Sequence, residues 1–81
     1  MNNQEKLVAI FRNTFLELGD KTENFISGCT RGEIASWDSG NHFVLITCIE
    51  EDFGITLTDE YIANMYSFFD VYKAIEELSE Q

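Results

Sequence analysis

The stretch from Trp37 to Gly54, WDSGNHFVLITCIEEDFG, constrains the fold more than any other part of the chain. Asp38 can accept hydrogen bonds from the open amides of a helix start, and Gly54 suits a helix end. Between them Leu45, Ile46, Ile49 and Phe53 recur at helical spacing, so one face of this helix has to be covered by the rest of the chain. The chain has only 81 residues to do that, near the smallest size at which one hydrophobic core suffices. An apolar share of 44%, with 14% aromatic residues, is enough for such a core and excludes a disordered chain.

The other elements arrange themselves around this helix. Asn3 can cap a first helix with Glu5 in its opening turn, and Leu7, Ile10, Phe11, Phe15 and Leu18 line one face as far as Gly19. Asp20 to Trp37 holds no sustained period, and so long a connection in a small domain must be packed down. Phe25, Ile26, Ile34 and Trp37 are the residues able to pin it, with a short helical turn expected within it. After Gly54, Ile55 and Leu57 make an extended tie, and Thr58 caps a brief helix carrying Ile62 and Met65 inward. Ser67, with Asp70 three residues on, has capping-box spacing ahead of a last helix whose inward side is Phe68, Val71, Tyr72, Ile75 and Leu78. The expected architecture is all-α, a small four-helix bundle in one domain. Helices are expected near 4–18, 39–53, 59–65 and 68–79, the third of them short, with a long ordered loop after the first.

Fifteen acids against five bases give a formal charge of −10, which disfavours nucleic acid and anionic membranes and favours basic protein partners. No run approaches the ~18 apolar residues of a membrane span, and Met1–Lys6 does not open a signal peptide. Cys29 and Cys48 are too few and too unpatterned for a disulfide framework or a zinc site, so reduced thiols in a cytoplasmic protein are expected. Cys48 reads as a small core residue and Cys29 as a loop thiol without an assigned role.

At Asp38-Ser39 the chain resembles the acyl carrier protein family, whose phosphopantetheine attachment motif is Asp-Ser-Leu at the start of the second of four helices. The resemblance continues through Glu50-Glu51-Asp52 and Phe53-Gly54-Ile55, then Asp59 after a short apolar tie and Ser67 before the last helix, at the family's spacing without a gap. The first helix matches in pattern only, and the loop hardly at all. Trp-Asp-Ser with His42 three positions on looks like stand-alone carriers of specialised pathways, of fatty-acid or polyketide type. The resemblance implies a covalent 4'-phosphopantetheine arm on Ser39, installed from coenzyme A by a phosphopantetheinyl transferase, with Asp38 helping to seat the metal-bound phosphates. It implies a monomer whose other partners load and transfer acyl or aminoacyl groups held as thioesters. A serine in a first helical turn suits this, because open amides and the positive end of the helix dipole favour a phosphate there. Asp and Ser are also common at helix starts for capping alone.

Gly40 departs from the motif, standing where the family usually has Leu or another apolar residue that enters a partner's pocket. Asn41 to Thr47 carries no carboxylate, so a partner surface is expected to be apolar near Ser39, through Gly40 and Val44, and acidic near Glu50, Glu51 and Asp52. Phe43 is expected to be half-buried, as helix aromatics usually pack inward. A Ser-His-Asp hydrolase built on Ser39 and His42 is excluded, because neighbouring positions on one helix cannot give a triad its geometry; His42 should pack against the loop or partly cover Ser39. An EF-hand is excluded by the lack of alternating oxygen ligands. With no metal site and no catalytic constellation legible, the chain is read as a non-catalytic carrier. A carrier scaffold that is not modified and serves as a protein–protein interaction module is the alternative.

Overall fold

The computed structural model describes residues 2–79, and those residues form a small all-α bundle. Its helices are α1 (Asn3–Thr14), α2 (Glu23–Ser27), α3 (Ser39–Phe53), α4 (Asp59–Ala63) and α5 (Phe68–Ser79), with 3-10 turns at Leu16–Leu18 and Arg31–Glu33. The fold class is as the sequence predicts, and α3 and α5 keep the expected bounds. The connection after α1 is ordered, and the short helical turn expected within it is the five-residue helix α2.

Each helix start is set by a local oxygen. The Asn2 side chain accepts from Glu5 N–H (2.8 Å), one position before the cap expected at Asn3. The Thr22 hydroxyl oxygen accepts from Phe25 N–H, Asp38 from Asn41 N–H, and Thr58 from Tyr61 N–H. At α5 Ser67 Oγ accepts from Asp70 N–H (3.1 Å), while the Asp70 carboxylate accepts from Tyr66 N–H rather than closing the box on Ser67. Such caps satisfy amides that no helical carbonyl can reach.

The first helix is shorter than its periodicity predicts. α1 ends at Thr14 because Phe15 turns extended (φ −114°, ψ 104°), and the chain resumes as the 3-10 turn Leu16–Leu18. The break keeps Phe15 and Leu18 in the core and carries Glu17 across to Ser36, nineteen positions on. The short helix α4 also stops early, at Ala63, and Met65 reaches the core from beyond its end.

The core is built where α1 meets α3, with α2 and α5 closing its sides. Phe11 lies at its centre, edge-on to Phe15 (5.5 Å between centroids), Trp37 (5.4 Å) and Phe68 (5.0 Å). Edge-to-face pairs of this kind each add about 0.5–1.5 kcal/mol beyond the area they bury. Ile26, Ile34 and Trp37 pin the connection as expected, but Phe25 is half exposed and Cys29 takes the buried place instead. Cys29 N–H donates to the Ile26 carbonyl (3.1 Å), the Cys29 carbonyl accepts from Phe68 N–H (3.0 Å), and Arg31 N–H donates to the Tyr66 carbonyl (2.7 Å). This two-bond bridge ties the connection to the start of α5. No helix among the described residues is long and apolar enough to cross a membrane.

Candidate functional site

Ser39 is the first residue of α3 and is exposed. Asp38 Oδ1 accepts from Asn41 N–H (2.9 Å) and Asp38 carbonyl from His42 N–H (2.8 Å), which fixes the first turn. The amides of Ser39 and Gly40 have no acceptor among the described residues. Ser39 Oγ likewise has no partner among them, whereas Ser27 Oγ bonds Asn24 carbonyl, Ser36 Oγ bonds Glu17 and Ser67 Oγ caps α5. An exposed hydroxyl beside two open amides at the positive end of a 15-residue helix can accept a phosphoryl group and hold the phosphodiester. Those groups fit the arm that the resemblance implies.

Gly40 is exposed, and its glycine is not demanded by the backbone. A Cβ there would meet only Asp38 Oδ1, at an ordinary 3.6 Å. The solvent face of α3 continues through Phe43, Val44, Thr47 and Glu51. Phe43 is 76% exposed and Val44 48%. The expectation of a half-buried Phe43 is therefore wrong: Leu45, Ile46 and Ile49 with His42 already fill the inward stripe, and Phe43 lies on the opposite side of the helix.

The acids at the far end of α3 have unequal surroundings. Glu50 Oε2 accepts from Leu57 N–H (2.8 Å), so that carboxylate holds the tie that follows Gly54. Glu51 and Asp52 are exposed. Lys6 of α1 donates to the Asp52 carbonyl (3.2 Å) and lies over the Phe53 ring (4.6 Å to its centroid). A cation at a helix C-terminus offsets the dipole that the neighbouring acids oppose.

Sequence spacing gives no signal for the contact of Glu17 with Ser36, three positions before Ser39. Glu17 accepts from both the hydroxyl and the backbone N–H of Ser36, which holds its carboxyl below the usual carboxylate range. The Ser36 carbonyl in turn accepts from Asn41 Nδ2 (2.7 Å), so an acid from beyond α1 helps position the start of α3. His42 is buried, packed on Trp37 of the connection as expected rather than over Ser39.

Cys29, in the connection as expected, is buried in the core, and Cys48 packs against the core while only half-buried. Desolvation pushes both thiols up, with nearby carboxylates adding to it, so neither is an activated nucleophile. A surface groove of about 350 Å³ lies between α4 and α5 and is lined by Tyr61, Asp70, Lys73 and Glu77 among others; Ser39 takes no part in it. Among the described residues no group of three or more His, Cys, Asp or Glu side chains is placed to hold a metal ion. No family model, no curated protein and no solved structure matches this chain.

Proposed function

We propose that the chain is an acyl carrier protein, with Ser39 bearing a 4'-phosphopantetheine arm. The reading is carried by one observation: the Ser39 hydroxyl stands exposed and unpartnered among the described residues, in the first turn of the capped helix α3. The arm, once attached, supplies a terminal thiol on which an acyl or aminoacyl group rides as a thioester. Ser39 Oγ attacks the pantetheine-bearing phosphorus of coenzyme A inside the transferase. The pyrophosphate P–O bond breaks, 3',5'-ADP leaves and the hydroxyl proton passes to a base of the transferase. The amides of Ser39 and Gly40 orient the phosphodiester that results. Asp38 keeps the turn closed through Oδ1, and its second oxygen is available to the metal-bound coenzyme A phosphates inside a phosphopantetheinyl transferase. Gly40 and Val44 then form the apolar part of a partner surface, and Glu50 and Glu51 the acidic part. Glu51 is the freer of these acids, because one oxygen of Glu50 is engaged by Leu57. The partners are enzymes that load and transfer acyl or aminoacyl groups through basic docking surfaces, meeting a cytoplasmic monomer in fast, salt-sensitive encounters. The carrier itself catalyses no step.

A second reading is a protein–protein interaction module that keeps the scaffold without the arm. Gly40 in place of the motif's apolar residue and the exposed Phe43 ring favour it. Incubation with coenzyme A, magnesium and a promiscuous transferase, followed by intact mass, separates the two. The carrier gains one phosphopantetheinyl group and Ser39→Ala gains none. No gain with several transferases supports the interaction module.

A further inference from the structure

His42 is the one buried polar side chain among the described residues, 9% exposed, and the carrier reading does not use it. Its ring bonds two other parts of the chain. The Trp37 indole nitrogen lies 2.8 Å from Nδ1, and the Ile62 carbonyl oxygen lies 3.0 Å from Nε2. An indole can only donate and a carbonyl can only accept, so the partners dictate the tautomer. Nδ1 is bare and accepts; Nε2 carries the proton and donates. The two rings lie side by side, tilted by 24° with centroids 6.0 Å apart, as an in-plane N–H···N bond requires. A neutral ring thus joins the end of the connection, the first turn of α3 and the short helix α4.

We infer that this contact is a proton-operated latch. A proton from solvent can bind only at Nδ1, on the lone pair that already accepts from Trp37. Its arrival breaks the Trp37 hydrogen bond and sets two N–H groups against each other. Nε2 keeps its proton, so the bond to Ile62 survives. The indole of Trp37 is therefore the part released, next to Asp38 and Ser39, while α4 stays attached to α3.

The charges around the latch come from three elements. Arg31 of the connection holds its guanidinium carbon 6.0 Å from the Trp37 ring centroid and donates from Nε to the Trp37 carbonyl (3.2 Å). Its bond keeps the Trp37 backbone in place when the side chain lets go. Asp38, the cap ahead of α3, adjoins Trp37, and Asp59 and Glu60 stand three and two positions before Ile62 in the chain; the Tyr61 hydroxyl of α4 donates to Glu77. The side chain that α1 sets against Trp37 is apolar Phe11. The latch stands whether or not Ser39 is modified.

The chain has one histidine and one tryptophan, so both ends of the latch can be followed without ambiguity. The experiment is NMR of the 15N-labelled full chain from about pH 8 to pH 5, the span in which imidazoles ordinarily titrate, with circular dichroism monitoring the helices. The expected result is a bare Nδ1 at the alkaline end, and a Trp37 indole N–H signal that shifts with the same midpoint as the imidazole while helix content holds. His42→Asn, whose short amide can still accept from Trp37 but cannot titrate, should abolish the pH response of Trp37 fluorescence. The proposal is overturned if Nε2 is the bare nitrogen, if the imidazole titrates while the indole signal stays fixed, or if no titration precedes acid unfolding. An unchanged pH response in a folded His42→Asn variant also overturns it; if that variant does not fold, the wild-type spectra decide.

Discussion

At Gly40 the only neighbour awaiting a side chain is the Asp38 carboxylate, at van der Waals distance, and the backbone is ordinary helix. Glycine there costs helix stability with no conformational return. Gly40→Ala should raise stability by about 0.5–1 kcal/mol, read as a higher urea midpoint at unchanged slope; a lower midpoint would mean that the first turn needs the glycine. Glu17 gives a prediction of opposite sign. Its folded carboxyl is held low by Ser36, so its contribution is present above the unfolded carboxylate range, about pH 4.3, and is lost as pH falls through the lower folded value. Glu17→Ala should therefore lower the urea midpoint at pH 7, and the gap from wild type should narrow as pH falls below the ordinary carboxylate range. A gap that does not narrow would assign the loss to packing instead. Asp38 could be read from the sequence because its cap partner is three residues away. Glu17 could not, because its partner lies nineteen positions on and no periodicity links them.

Elements differ in the same way. α3 carries both of its boundaries in its own sequence, Asp38 at one end and Gly54, at φ 65°, at the other. Replacing Gly54 with Ala forces a left-handed conformation on a residue with a Cβ. That should cost about 1–2 kcal/mol in chemical denaturation, and a neutral result would mean that the helix end relaxes freely. α5 was legible for the same reason, through Ser67 and Asp70. The end of α1 and the bounds of α2 were not, because long-range contacts decide them. Phe15 leaves the helix in a structure where Glu17 meets Ser36, and α2 is held by Ile26 in the core and by the bridge to Tyr66 and Phe68. Phe43 misled for a related reason: an aromatic residue on a helix usually turns inward, but the inward stripe of α3 was already complete.

For the whole molecule, charge is the dominant long-range term. A formal charge of −10 is spread over a globule measuring 33 × 28 × 18 Å, so carboxylates repel across distances that salt can screen. The melting temperature should rise as sodium chloride increases from about 0.01 M to 0.15 M, where the screening length falls from about 30 Å to 8 Å. A fall over that range would show that local ion pairs outweigh the global repulsion. The acidic, all-α character of the bundle followed from composition and periodicity. The free hydroxyl at the head of α3 depended on the surrounding contacts, since only the structure places the neighbouring serines in hydrogen bonds of their own.

The function of that hydroxyl is tested most directly by the mass of the protein isolated from the cells that make it, with fragmentation to locate any added group. The carrier reading predicts a population bearing one phosphopantetheinyl group, attached at Ser39. A protein bearing no such group there, and refusing it from transferases in vitro, would contradict it, as would an arm attached to any other residue.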